Sequence, residues 1–195
     1  MKVTFFLLIS FLSVLLSCTS KTEAIVINPG AAKYKVKTIV VFPFENMNEK
    51  KFRSHYPNAP QVVYESLETY FLGLNVQIAD RNHVDKILKE IRFSGSGLTD
   101  SDGKRIGKML DADAVIIGKI TSYVQGAGVH DTTGKLENTR FGFSIKAIHV
   151  ESGMILARVN MYQNLGGLFS YTSPVENLVN RMMEDLVKKL KRKGL

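Results

Sequence analysis

The sequence predicts a single α/β domain on a mixed β-sheet, with parallel strands linked by helices followed by an antiparallel meander. Three observations predict it. Apolar strand-like runs, headed by Ile39-Val40-Val41-Phe42, alternate with amphipathic helical stretches through the first part of the chain. The pattern then changes to period two at Phe141, Phe143, Ile145 and Ala147, and turns at Glu151-Ser152-Gly153 into a further strand over Ile155 to Met161. A single amphipathic helix closes the chain.

In order, Lys37 to Phe44 is a buried strand stopped by Pro43. Asn46 to Ala59, with Tyr56-Pro57 and the following Pro60, reads as an exposed loop. Gln61 to Leu74 carries apolar residues at 63, 67, 70, 71 and 74, one face of a helix. Val76 to Ala79 is a short strand. Asn82 is placed to cap the next helix, in which Val84, Ile87, Leu88 and Ile91 share a face until Ser94-Gly95-Ser96-Gly97 ends it. Thr99 with Asp102 resembles a capping box, opening a helix through Ile106, Met109 and Leu110. Asp113 to Ile120 is a strand centred on Val115-Ile116-Ile117, and the meander follows. Ser173-Pro174-Val175-Glu176 has the pattern of a helix start: cap, proline at the first position, glutamate at the third. The apolar face beyond it runs through Leu178, Val179, Met182, Leu186 and Leu190. The predicted order is β-α-β-α-α-β-β-β-α.

The N-terminus has a separate character. Lys2 precedes an apolar run from Val3 to Leu16, the length of a signal-peptide core and too short to span a bilayer. It ends in Leu15-Leu16-Ser17-Cys18, which resembles the lipobox of bacterial lipoproteins and contains the only cysteine of the chain. The resemblance implies cleavage before Cys18, a diacylglycerol on its thiol, and an acylated amine. Three acyl chains make release from a membrane negligible. The expected organisation is a signal peptide over 1–17, a lipidated tether over 18–33, and a folded domain over 34–195. Thr19 rather than aspartate after the cysteine favours the outer membrane under the sorting rule of many diderm lipoproteins. The tether reaches about 50 Å fully extended and about 20 Å as a coil.

Composition narrows the function classes. The chain holds 26 Lys+Arg against 18 Asp+Glu, a charge of +8 that falls to +7 when the signal removes Lys2. Much of the excess lies at Lys188, Lys189, Lys191, Arg192 and Lys193, which suit either the end of a helix dipole or an anionic lipid surface; the helix-end reading is favoured. The export signal excludes nucleic acid as a partner. The four histidines, His55, His83, His130 and His149, share no metal-ligand spacing, and no metal or cofactor is expected. Ser94-Gly95-Ser96-Gly97 follows a helix and lacks the Lys-Ser/Thr of a phosphate loop. Asp111 and Asp113 flank a helix-to-strand junction, where turn residues are the default over acid/base work. No catalytic residues are assigned, and a non-enzyme working through its surfaces is expected.

Several segments in order resemble the CsgG family of outer-membrane lipoproteins: Val40-Val41-Phe42-Pro43-Phe44, Ala79-Asp80-Arg81 leading to Leu88-x-Glu90, and Ser94 to Leu98. Further on come Gly107-x-x-Leu110-x-Ala112-Asp113-Ala114-x-Ile116-x-Gly118 and Glu151-Ser152-Gly153-x-Ile155-Leu156. The family includes the curli secretion channel, and its α/β domain recurs in the penicillin-binding-protein activator LpoB. The resemblance implies a lipid-anchored, periplasm-facing domain that binds envelope protein partners and can form homo-oligomers. The channel subunits add two membrane hairpins each, and a hairpin needs at least about 20 residues. Here the first corresponding gap, Val124 to Thr139, is short and lacks apolar alternation, and the second, Asn164 to Thr172, is shorter still. A pore is therefore not expected, and a diverged channel subunit or a short-reach activator of a peptidoglycan synthase stands as the alternative.

Overall fold

The computed structural model describes residues 20–90, 98–126, 137–165 and 173–193. The signal segment 1–17, Cys18, Ile91, the 94–97 stretch and most of both inter-strand gaps lie outside them.

The strands are β1 (Ser20–Ile27), β2 (Thr38–Val41), β3 (Glu45–Asn46), β4 (Gln77–Ile78), β5 (Ala114–Val124), β6 (Arg140–His149) and β7 (Ile155–Asn164). The helices are α1 (Lys50–His55), α2 (Ala59–Phe71), α3 (Arg81–Glu90), α4 (Asp100–Met109) and α5 (Val175–Arg192). The sheet runs β1-β7-β6-β5-β2-β4, with β3 also beside β5. β2 lies parallel to both β4 and β5, whereas β5, β6, β7 and β1 form an antiparallel run. The expected α/β class with its mixed sheet is present.

Two cores sandwich the sheet. On one face α2 and α5 bury Val63, Leu67, Leu178, Met182 and Leu186 against β5, β6 and β7. On the other, α3 and α4 bury Val84, Ile87, Leu88 and Ile106 against β2 and β5. Glycine permits the second contact: a Cβ on Gly107 of α4 would stand 2.6 Å from Val150 and 2.7 Å from Val115. The β6–β7 turn closes through Gly153 at φ +70, a conformation costly for any residue with a Cβ. Leu88→Ala is expected to cost about 2–5 kcal/mol, measured by denaturant titration, as a core truncation does. A loss under about 0.5 kcal/mol, the range of surface sites, would remove α3 from the core.

Several sequence expectations need correction. Residues 20–33 are not a free tether: β1 pairs along its whole length with β7, from Ser20 opposite Asn164 to Ile27 opposite Ala157, and a 3-10 turn (Pro29–Lys33) follows. Ile25 and Ile27 pack on the core while Val26 is exposed, so the strand carries only a short alternation. Residues 46–59 are not a plain loop: β3 pairs with β5, and α1 buries Phe52. One buried residue in a six-residue helix leaves no periodicity to detect. Pro60 lies in the first turn of α2, where its missing N–H costs nothing. The cap of α3 is supplied by Asp80, whose carboxylate accepts the His83 N–H at 3.1 Å, rather than by Asn82 inside the helix. Met109 is exposed, because Gly103, Ile106 and Gly107 make the buried face of α4. The Thr99–Asp102 capping box is present.

Candidate functional site

Strand direction divides the molecule into two ends. β5 finishes at Val124, β6 begins at Arg140, β7 finishes at Asn164 and β1 begins at Ser20, so one end carries both inter-strand gaps and the start of β1. Cys18 lies outside the described residues. In the sequence it precedes Ser20 by two residues.

A polar network holds that end together. Asn48 is buried and donates its amide to the Tyr123 carbonyl at 2.8 Å. Thr139, fully buried, accepts the Gly126 N–H and donates to the Ser173 carbonyl, both at 3.0 Å. The Gln125 side chain spans the start of α5: its Oε1 accepts the Val175 N–H at 2.7 Å and its Nε2 donates to the Ser173 carbonyl at 3.1 Å. This corrects the expected cap, since no side chain of the Ser173-Pro174 segment caps α5 and a glutamine from the end of β5 does so instead. The Tyr123 hydroxyl donates to Glu176 at 3.1 Å, and burial followed by the neighbouring carboxylate raises its pKa.

At the opposite end, Asp111 and Asp113 line a polar recess of about 570 Å3 with His149 and Glu151. The two carboxylates are not a working pair. Asp113 Oδ2 accepts the Lys37 N–H at 2.8 Å and the Thr38 N–H at 2.9 Å, which ties the start of β2 to β5. Asp111 is exposed, in the left-handed region at φ 54. His149 Nδ1 accepts the Ser152 N–H at 3.2 Å and lies 3.0 Å from Ser152 Oγ, while Tyr34 packs on its ring. The nitrogen is thus used to close the hairpin, and Asp113 is committed to backbone amides, so this is not a triad arrangement. Among the described residues no cluster of three metal-ligating side chains occurs. His130 lies outside them.

The amides of Thr38 and then Lys37 hold the Asp113 carboxyl below its ordinary range. A folded pKa below the unfolded value of about 3.9 gives stability that is present above that value and is lost as pH falls through the folded one. Asp113→Ala is expected to cost about 1–2 kcal/mol at pH 7. The gap between variant and parent should hold from pH 7 down to about 4 and narrow below that, read from urea midpoints.

The basic C-terminus lies at the same far end, because α5 starts beside the gaps and runs about 27 Å away from them. Lys188 pairs with Glu184, and Lys189 with Asp185 at 2.8 Å and with Glu23 of β1. Partial burial works against the Lys189 charge, but Asp185 and Glu23 outweigh it and raise its pKa. Lys21 joins the cluster through Asp185 at 2.9 Å. These cations complement a helix end and clamp β1 onto α5.

Among the described residues nothing covers one surface. On the α3–α4 side the outer strands present Thr22, Ala24, Val26, Arg158 and Asn160 to solvent, and β1 forms the sheet edge. No described helix is long and apolar enough to cross a membrane.

No protein-family model matches the chain, and no curated protein does. Solved structures do. Lipoprotein GNA1162 from Neisseria meningitidis superposes with a TM-score of 0.54 at 12% identity, over 80% of this chain and 99% of that one. The PelC dodecamer from Paraburkholderia phytofirmans gives 0.50 at 15% identity, over 86% and 95%. The LpoB C-terminal domain from Escherichia coli gives 0.43 at 11%, over 68% and 92%, too distant to support an argument. At these identities the likeness to GNA1162 and PelC shows the fold alone.

Among the features that escaped the sequence are β1, β3, α1 and the Gln125 cap. Lys21-Thr-Glu-Ala carries no strand signal, and Gln125 acts on a helix 50 positions away, so no local pattern connects them.

Proposed function

We propose that the protein is a lipid-anchored, periplasm-facing envelope protein of the CsgG-like class, working by protein–protein interaction in envelope assembly or secretion, and neither an enzyme nor a pore. The observation that carries this reading is the uncovered face of β7 and β1 running into the β1 edge, a surface suited to a protein partner or a second copy. The carboxylates and the histidine at the far end are committed to backbone and hairpin contacts, which supports a non-catalytic role. PelC was solved as a dodecamer, and a homo-oligomer of this chain fits the same surface.

Ser20, two residues after Cys18 in the sequence, is already paired in β1. An anchor at Cys18 holds the domain against its own membrane. A reach across the periplasm to a synthase is then much harder than the tether reading allows, which disfavours the activator alternative. Both gaps are too short for a hairpin of two spanning strands at about 9–11 residues each.

Cys18→Ala is expected to abolish lipid labelling and block normal processing of the precursor. Unlabelled wild-type protein released into the soluble periplasm would refute the anchor, and membrane fractionation tests the outer-membrane placement. Purified protein in planar bilayers should give no stepwise conductance, and crosslinking in intact cells should yield discrete adducts lost in Val26→Arg. Single-channel currents in a porin-free preparation would overturn the proposal in favour of a diverged channel subunit.

A further inference from the structure

The core between the sheet and the α2–α5 pair does not close at the end remote from Ser20. A cavity of about 550 Å3 opens there, within the range of small-molecule sites, about 300–1,000 Å3. Its floor explains its existence. Ala114, Ala147 and Ala157 occupy neighbouring strands of the sheet, with Ala147 paired to Ala157 on one side and Ile116 on the other. Alanines under a helix pair leave space that larger aliphatics would fill. α2 ends at Phe71 and the chain turns away at Gly73, so the space above the alanines is bounded by Phe71 at the end of α2 and by Leu186, Leu190 and Lys191 in the last turns of α5.

The lining dictates the chemistry. Aliphatic and aromatic side chains form the walls, and Tyr34 and Asn75 are the polar uncharged side chains among them. Such a cavity offers water few partners, and its walls forgo dispersion contacts while it stands empty. Lys191 is the one charged residue of the lining, and among the described residues it makes no ion pair or hydrogen bond. Its Nζ lies 3.7 Å from the point where a Cβ on Gly73 would stand, which sets the ammonium over the Gly73 turn at the rim. No acidic side chain lines the cavity to compete for it.

We infer that this cavity binds a single-chain anionic amphiphile, with its acyl chain over the alanine floor and its carboxylate or phosphate head on Lys191. A polar metabolite lacks partners in the interior, and a cationic amphiphile meets a like charge at the rim. The inference is independent of the anchor at Cys18, because the cavity lies at the far end and is built from other residues.

The test uses the full-length protein in washed envelope membranes. Three photoreactive probes share one diazirine-bearing hexadecyl chain: a fatty acid, a lysophosphatidylglycerol and a quaternary ammonium. Irradiation followed by peptide mapping should place adducts of the anionic probes on segments 34–39, 71–76 and 156–159. Ala157→Phe, which fills the floor, should lower that labelling about tenfold. Lys191→Glu should lower it about threefold for the anionic probes and raise it for the cationic one. Labelling by the fatty acid alone, or by the lysophospholipid alone, supports the inference and identifies the source of the head group. Adducts confined to other segments overturn it, as do adducts that both variants leave unchanged. Lys191 is exposed, so its variant folds whatever Ala157→Phe does to packing, and thermal melts identify a misfolded Ala157→Phe.

Discussion

Gly118→Val is expected to unfold the protein or leave it only marginally stable. Gly118 lies in the middle of β5 with the Phe44 ring lying directly on its backbone. A Cβ built there would stand 2.3, 2.5 and 2.6 Å from three ring atoms, well inside contact distance. Phe44 is buried in the core shared with α2 and α5, so the ring has no solvent to move into. Overpacking of this kind costs about 1–3 kcal/mol for a first methyl and more for a branched side chain, against a total of about 5–15 kcal/mol for a typical domain. The cause can be isolated by a double-mutant cycle. Phe44→Ala alone should cost about 3–5 kcal/mol, and Gly118→Ala with Phe44→Ala should cost less than the sum of the single changes. Additive losses would mean that the glycine serves something other than the ring contact.

Ile25→Asp combined with Ile27→Asp is the second large effect. In a free tether both changes would fall within about 0.5 kcal/mol of neutral. In β1 the two isoleucines pack against the core, between the β7 ladder and α5. Each aspartate would bring a carboxylate to a partly buried apolar site without a partner. The expected cost is about 3–6 kcal/mol for the pair, at about 1–3 kcal/mol for each buried polar group beyond the lost apolar burial. Denaturant midpoints measure it. Limited trypsin digestion gives an independent reading: Lys21 is held by Asp185 and by strand pairing, so cleavage after it should be slow in the parent and fast in the variant. Equal cleavage rates would return residues 20–33 to a tether.

How much was legible follows from the range of each signal. The faces of α2, α3 and α5 were readable because burial against a sheet repeats every 3.6 residues, and Val63, Leu67, Val84, Leu88, Met182 and Leu186 all carry it. The Thr99–Asp102 box and the Gly153 turn were readable because their chemistry is complete within four residues. Asn82 was misread as a cap because Asp80, two positions earlier, has equal capping chemistry, and only the backbone path selects between them. The sequence reads Asp111 and Asp113 as turn residues at a helix-to-strand junction. It does not show that Asp113 holds the start of β2 through two amides 75 and 76 positions away.

The sequence alone determined the α/β class, the parallel-then-antiparallel order of strands, the faces of the main helices and the position of the one cysteine behind an apolar leader. Each is a local pattern, set by side-chain periodicity or by a few adjacent residues. The tertiary structure alone decided that residues 20–27 are the edge strand, because β7 supplies hydrogen-bond partners that lie more than a hundred positions away. It also decided which end of the sheet carries the residues next to Cys18. The alanine-floored cavity belongs to the same category: Ala114, Ala147 and Ala157 are unremarkable in sequence, and only the sheet register lines them up under α2 and α5.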